Sequence, residues 1–550
     1  MSDYKSGYPE YMQESLRLVA DSRAARFGKD FIPMTAEQRQ QILEKFHPDW
    51  KPAGKRTLAI GPSKGMIIPH EVADILEAHP MVKPKEIDLS KVDYDVDVLV
   101  IGAGGAGMSA ALLANENGIP ADRILMVQKL RLGDSNSKMA QGGIQAADKQ
   151  DDSPPIHYLD IIGGGHYVNK PELVEALVKD APGIIKWHEE LGVIYDKLDD
   201  GTMMVIAGGG TSRKRMHSCK DYTGLELTRV VLDEFINKGI GYVEFTCAVD
   251  LLMDDKDQVA GAVLYDLDSE EYKIARAKST ILATGGFGRL HIQGFATTNH
   301  YGATGDGIVM AYRTGAILRD LDSTQYHPTG AAYPEQIVGQ LLTEKLRGRG
   351  AQPVNKNGDL FVYHLEPRDI ESSSYIRECY ERNNGIITPT GMRAVWLDTP
   401  QIEAVNGPGT IEAQFPAMFR NLKKFGIDIR KEPMLVFPTL HYQNGGVEIN
   451  ANTETNIPGL FCAGEVCGGV HGKNRLMGNS QLDIYVLGRR AGKYAAERAK
   501  TASIGKLTLA HLDRYDRWLK EASIKTDRKT PLLLPEYRGQ KTLEHKLKLL

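Results

Sequence analysis

The stretch that decides the fold is Asp97-Val98-Leu99-Val100-Ile101-Gly102-Ala103-Gly104-Gly105-Ala106-Gly107. Its first half is a short apolar run of the kind that forms a strand buried on both faces. Its second half reads G-x-G-x-x-G. A helical pattern follows over Met108–Asn115 and closes at Gly118, and a second apolar run, Ile124-Leu125-Met126-Val127, reads as the next strand. Strand, glycine turn, helix and strand in this order open a dinucleotide-binding fold. Gly102 permits the tight turn, Gly104 lets the backbone approach a pyrophosphate, and Gly107 lets helix and strand pack closely. The helix N-terminus then offers free N–H groups and a positive dipole end to the phosphates. The carboxylate expected about 20 residues on, to hold a ribose hydroxyl, is replaced by Gln128-Lys129, which argues against a simple NAD site.

Two further apolar runs end in small residues: Lys278-Ser279-Thr280-Ile281-Leu282-Ala283-Thr284-Gly285-Gly286 and Phe461-Cys462-Ala463-Gly464-Glu465. Thr304-Gly305-Asp306-Gly307 adds another glycine-rich turn. Sheet ends that crowd against one flat cofactor require such residues. Asp306 and Glu465 are then candidate acceptors for ribose or ribityl hydroxyls, and the whole reads as a large dinucleotide lying across the sheet.

The 550-residue chain is 42% hydrophobic and 25% charged, typical of a globular protein with a large core. Its net charge of −4, from 67 basic and 71 acidic residues, supplies no field to recruit nucleic acid or an acidic membrane. Glycine is in excess at 56 residues, without a collagen-like period. The five cysteines, Cys219, Cys247, Cys379, Cys462 and Cys467, are scattered and include no Cys-x-x-Cys pair, so neither a disulfide framework nor a metal or iron–sulfur site within the chain is expected. Met1–Arg26 lacks the apolar core of a secretory signal. Val98–Ala114 has the length of a partial membrane span but is interrupted by glycines, which suits a turn better. The expectation is a cytoplasmic protein without a transmembrane segment. Residues 1–92 read as a proline-punctuated extension with helical patterns at Ala36–Phe46 and Glu71–Ala78, either a packing arm or a partner-binding one.

The motifs together resemble the flavoprotein subunits of fumarate reductase and succinate dehydrogenase, within a superfamily that includes L-aspartate oxidase. The resemblance runs from about Asp95 to about Arg498 and rests on GAGGAG (102–107), AQGGI (140–144), DYTG (221–224), ATGG (283–286), TGDG (304–307), QYHPTG (325–330), LTEKLRG (342–348), EPRD (366–369), LHYQNGG (440–446), AGE (463–465) and HGKNRL followed by GNS (471–476 and 478–480). It implies an α/β fold: a Rossmann-like FAD-binding domain over 93–322 and 435–500, an inserted α+β capping domain over 323–434, an N-terminal extension over 1–92 and a short helical tail over 501–550. It implies FAD bound by Gly102, Gly104, Gly105, Ala106, Gly107, Lys129, Asn136, Ser137, Gln141, Gly142, Gly143, Ala248, Asp306, Glu465, Asn479 and Ser480. The implied reaction is hydride transfer between the flavin and a fumarate-like dicarboxylate, and the implied electron partner is an iron–sulfur subunit. Through it the chain would lie at the periphery of a membrane.

The residues support such a site in their own right. Arg475 offers a fork of donors suited to a carboxylate, and His327 and His441, each beside a glycine or proline turn, can add donors. Thr343 adds a hydroxyl. By resemblance these four grip the substrate carboxylates, Arg368 donates the proton, and Glu344 and Arg347, three apart in sequence, relay it. Read alone, Arg368 is a surface arginine paired with Asp369.

Four departures qualify the resemblance. The histidine that carries the flavin in covalent members is replaced by Asn136, so FAD is expected to be non-covalent and its reduced form a stronger donor. The position held by phenylalanine in many fumarate reductases, and by glutamate in L-aspartate oxidase, is Gly208. That argues against an amino-acid substrate and leaves space for a larger dicarboxylate; an L-aspartate oxidase-like enzyme is the alternative. Arg349 stands where the family has an acid. The C-terminal helical segment, with one helix pattern over Leu507–Ala522, is short.

Overall fold

The computed structural model describes residues 6–533; the end of the expected tail, 534–550, lies outside them. Its centre is an eight-stranded sheet. In spatial order the strands are Leu507–Thr508, Thr246–Asp254, Val259–Asp266, Tyr272–Leu282, Tyr94–Ile101, Ile124–Val127 and Gly241–Val243, with Leu460–Cys462 also paired to Tyr272–Leu282. The four strands from Tyr272–Leu282 to Gly241–Val243, and Leu460–Cys462, run parallel. Their C-terminal ends therefore line up along one edge, where ligands of open α/β sheets bind. The antiparallel strands Thr246–Asp254 and Val259–Asp266 extend the sheet on the far side.

The helix Gly105–Glu116 covers this sheet, and Asn479–Ala499 packs across it. The contact is close because glycines make it so. A Cβ on Gly488 would stand 2.5 Å from the Ala106 carbonyl, and one on Gly492 would stand 2.1 Å from that of Ala110.

A second, antiparallel sheet orders Thr324–Ala331, Met434–Gln443, Arg393–Asp398 and Gln352–Val354, with Ile386–Ile387 on its flank. The helix Arg368–Ile376 lies on it. Two segments link the sheets. Met434–Gln443 pairs with Thr324–Ala331, so residues from 435 on belong to this sheet before the chain returns to the larger one. The tail after 500 is tied to the larger sheet, since Leu507–Thr508 pairs with it before the helix Ala510–Glu521.

The N-terminal segment packs on its own chain and spans both units. Arg23 and Arg26 ion-pair with buried Asp398 at 2.9 and 2.7 Å, and the indole of Trp396 donates to Ser15 at 2.9 Å. The helix Ala36–Phe46 opens with a Thr35/Gln38 capping box and packs Ile42 and Leu43 on Ile370. Farther along, Asp49 accepts from the Thr324 hydroxyl at 2.7 Å, Tyr312 donates to the Ile60 carbonyl, and His79–Pro80 pairs in parallel with Lys529–Thr530. Prolines punctuate the segment, so its pattern shows helices but not the surface they cover. No helix among the described residues is long and apolar enough to cross a membrane.

Candidate active site

A cavity of about 490 Å³ runs from the edge of the large sheet to the smaller one. At one end it is walled by backbone. Gly102 has φ +108°, and a Cβ there would lie 2.3 Å from the Ala283 carbonyl. Gly104 is the N-cap of Gly105–Glu116 and, as glycine, offers no capping side chain of its own. The turn is held from behind: Gln128 Oε1 accepts from Ala103 N at 3.0 Å, and Ser137 Oγ accepts from Gly105 N at 3.2 Å. Gln128 thus has a structural task that its place in the sequence did not reveal. Lys129 Nζ reaches Asp306 at 2.7 Å and Thr304 at 2.8 Å. Burial pushes the Glu465 carboxyl up to about 7 although it accepts from Gln443 N at 3.0 Å.

Gly102, Gly104, Ala106, Lys129, Asn136, Ser137, Gln141, Gly142, Gly143, Ala248, Asp306, Glu465 and Ser480 all line this cavity. Gly105, Gly107 and Asn479 do not. Gly105 meets Ile484 and Gly107 meets the Gly102 carbonyl, where a Cβ would stand 1.8 Å away. Asn479 turns to His157 at 3.1 Å. The wall fits a dinucleotide. A helix N-terminus whose N-cap is a glycine, two carboxylates, and the buried, unpartnered Thr284 Oγ1 and Gln141 Oε1 line one elongated space.

The other end is walled by side chains. His327 and His441 come from neighbouring antiparallel strands, their rings 5.0 Å apart. Thr343 and Glu344 precede the one-turn helix Lys345–Gly348, Arg368 begins Arg368–Ile376 after Pro367, and Arg475 lies in the loop before Asn479–Ala499. Six sequence-predicted residues meet here and line the cavity: His327, Thr343, Glu344, Arg368, His441 and Arg475. Arg347 does not line it; it sits behind Glu344 at 3.2 Å.

Arg368 is buried and does not pair with Asp369. Its Nε donates to Glu344 at 2.7 Å and its Nη1 to Gln325 at 2.9 Å, while Asp369 pairs with His166 at 2.7 Å. The backbone N of Gly209 donates to Glu344 at 2.7 Å, an approach that a Cβ on Gly209, 2.7 Å from the same oxygen, would block. Arg347 also contacts buried Glu371, which accepts from the Tyr375 hydroxyl at 2.9 Å. Arg368, Glu344, Arg347 and Glu371 thus form a chain of alternating arginines and carboxyl groups, all within the protein interior. Burial raises the Glu344 carboxyl, but Arg368 and Arg347 more than offset this and hold it at about 2. Burial carries Glu371 up to about 8 against the pull of Arg347. Glu371 stands 24 residues from Arg347, so no sequence spacing announces it.

Arg475 is the clearest sign of an anion site. Its guanidinium lies 4.5 Å over the Tyr442 ring and donates once, to Leu476 O at 3.2 Å. Its Nε and Nη2 are buried without a partner. Burial, then Arg368 nearby, lower it to about 9. Tyr442 is held in turn by Asp483 at 2.7 Å. An unpaired buried guanidinium is costly; a bound carboxylate would satisfy it. Burial, then Arg368, hold both histidines neutral, well below the ordinary histidine value. Thr329 N donates to His327 Nδ1 at 3.2 Å, which leaves the proton on Nε2 as a donor.

The expected space beside Gly208 is bordered by Gln145 and Met477. A Cβ at that position would meet Gln145 Nε2 at 3.4 Å and Met477 Cβ at 3.5 Å; Met477 occupies that side of the wall.

Comparison with known proteins agrees with this architecture. Residues 97–481 match the model of a family described as FAD binding domain. The chain is 37% identical over 419 residues to a subunit of the fumarate reductase (CoM/CoB) of Methanothermobacter marburgensis, covering 74% of each. It is 34% identical to L-aspartate oxidase of Streptomyces coelicolor, over 75% of this chain and 70% of that one. The structure is similar to that of a mutant of the Escherichia coli quinol fumarate reductase chain FrdA, with a TM-score of 0.69 and 32% identity over 78% of this chain and 74% of that one. The chain belongs to the FAD-dependent oxidoreductases of this FAD-binding-domain family, among the homologues of fumarate reductase and succinate dehydrogenase flavoprotein subunits.

Proposed function

We propose that the chain is the catalytic flavoprotein subunit of a fumarate reductase, converting fumarate to succinate. The observation that carries this reading is the buried Arg475, with Nε and Nη2 unpartnered, facing the same cavity as an Arg368 held by Glu344. One arginine grips an anion and the other is wired to an acid. Bound FAD, held by the glycine-lined end, would supply the hydride, which adds to one alkene carbon. The second alkene carbon needs a proton. Arg368 is placed to give it and to be reprotonated through Glu344 and Arg347, while its charge, with that of Arg475, stabilises negative charge developing on the substrate. His327 Nε2 and His441 donate to the other carboxylate, and Thr343 adds a hydroxyl.

Two findings speak against the aspartate reading despite the 34% identity to an L-aspartate oxidase. Gly208 has no side chain to meet an amine. Glu344, the carboxylate at this end, is already taken by Arg368, Arg347 and Gly209.

The flavin in this reading is non-covalent. Asn136 donates to Asn299 at 2.7 Å and accepts from His300 N at 2.9 Å, and an amide offers no nucleophile for a bond to the ring. Electrons come from outside the chain, since no group of His, Cys, Asp or Glu among the described residues is arranged to hold a metal. An iron–sulfur partner subunit is the proposed source, peripheral to a membrane through its partners. A relative named for CoM/CoB makes a thiol-linked donor the alternative. An anaerobic assay with reduced viologen dye tests the reading, paired with acid precipitation of the protein. Fumarate-dependent dye oxidation with flavin left in the supernatant is expected. Flavin-bearing protein that leaves fumarate untouched would overturn it.

A further inference from the structure

Met477 adds an apolar side chain to the substrate end of the cavity. It is 2% exposed and lines the cavity two residues after Arg475. Its thioether methyl lies against Gly142: a Cβ on Gly142 would be 2.5 Å from Met477 Cε and 3.7 Å from Thr343 Oγ1. The methyl therefore shares one small region with a hydroxyl of the substrate wall. On its other side Met477 adjoins the position where Gly208 carries no side chain.

Met477 cannot readily withdraw. It belongs to a small apolar cluster with Ile206 and Met216, both buried. Met216 in turn sits against Gly143, where a Cβ would stand 2.6 Å from its Cγ. The backbone of Gly142-Gly143 is thus clasped between two methionines. The Met477 carbonyl is also fixed by Gln145 Nε2 at 2.5 Å. A flexible thioether is normally an adaptable gap-filler; here its surroundings hold it in place.

We infer that Met477 sets the size limit of the substrate site, restricting it to an unsubstituted four-carbon dicarboxylate by filling the wall that Gly142 and Gly208 leave bare. A substituent on the alkene would have to displace a methyl group whose side chain is packed with Ile206 and Met216. One methylene in an apolar pocket is worth about 10- to 200-fold in discrimination, and a methyl substituent should be rejected on that scale.

The inference rests on the fumarate-reductase reading, and the test separates the two. With reduced viologen as donor, kcat/KM is measured for fumarate and for 2-methylfumarate in the wild type, Met477→Ala and the double variant Gly208→Phe/Met477→Ala. The wild type should prefer fumarate by at least about 10-fold. Met477→Ala should raise relative kcat/KM for 2-methylfumarate by about 10-fold or more. The double variant returns apolar volume to the wall from the opposite side and should restore the preference. It also serves where the single variant packs poorly. An unchanged ratio in Met477→Ala, or a ratio in the double variant that stays relaxed, would overturn the assignment while wild-type fumarate turnover leaves the catalytic reading standing. A wild type inert toward fumarate would overturn both.

Discussion

The two ends of the cavity are built from different materials. At the flavin end the wall is backbone and small side chains, with Gly102, Gly104, Gly142 and Gly143 against the space and Gly107 locking the turn from behind. At the end proposed for the substrate it is polar and aromatic side chains, Arg368 on Glu344 and Arg475 over Tyr442, with Arg347 on Glu371 behind them. The difference decides how each end can fail. A backbone wall is broken by adding a methyl group at one glycine and tolerates most other changes. A wall of buried charge is broken by removing any single partner, because the remaining ion is left unpaired in the interior.

The largest effect should come from the charged end. Arg368→Gln removes both the proposed proton source and a fixed positive charge, and kcat for fumarate should fall on the order of 1,000- to 10,000-fold. Flavin content, read by absorbance, should not change, because the far end of the cavity is untouched. At the backbone end, Gly107→Ala forces a Cβ to 1.8 Å from the Gly102 carbonyl. It should cost about 1–3 kcal/mol and release flavin, seen together as a lowered Tm and loss of the bound-flavin spectrum. A Gly107→Ala protein that keeps its flavin and loses only turnover would erase the distinction between the ends.

Acidification sharpens the comparison. His327 and His441 are held neutral by burial, and His157, His188 and His300 are lowered to about 4, about 3 and about 4. The unfolded chain takes up these protons near pH 6.5, so their contribution is complete above that value and declines below it. Each should remove ~1.4 kcal/mol per pH unit until it titrates in the folded state. His166, raised by Asp369, acts in the opposite sense, but its contribution is complete below pH 6.5 and is lost only as pH rises above it, so it does not offset them in this range. Tm should fall steeply from pH 6.5 to 5, and a flat Tm over that range would contradict the neutral pair.

The smallest effect is expected at the back of the relay. Glu371, raised to about 8, should give the kcat–pH profile an inflection near pH 8. Glu371→Gln should move or abolish the inflection while changing the maximal kcat less than about tenfold. A variant that lowers kcat equally at every pH would mean that Glu371 only packs.

The same contrast explains what the sequence disclosed. The dinucleotide turn is local: its residues lie within one strand–turn–helix, and each glycine answers to a steric need that periodicity and spacing expose. His327, Glu344, Arg368, His441 and Arg475 span about 150 residues; residue type alone gave Arg475 a task but would have left Arg368 as a surface ion pair with Asp369. The resemblance put Arg368 into the proposed site, and in the structure it is bonded to Glu344 and not to Asp369. Glu371, Gln325, Gly209 and Met477 stayed hidden because their partners come from distant segments. The N-terminal segment stayed hidden for the same reason: Arg39 pairs with Glu366, two residues before Arg368, at 2.7 Å, and nothing in either segment forecasts the other.

The most direct measurement is a single turnover. Purified protein with its bound flavin is reduced anaerobically, freed of reductant and mixed with fumarate, and succinate is counted against flavin. The account predicts one succinate per flavin, with flavin reoxidation at the same rate as succinate formation. Flavin that stays reduced in excess fumarate, or reoxidises without forming succinate, would contradict it.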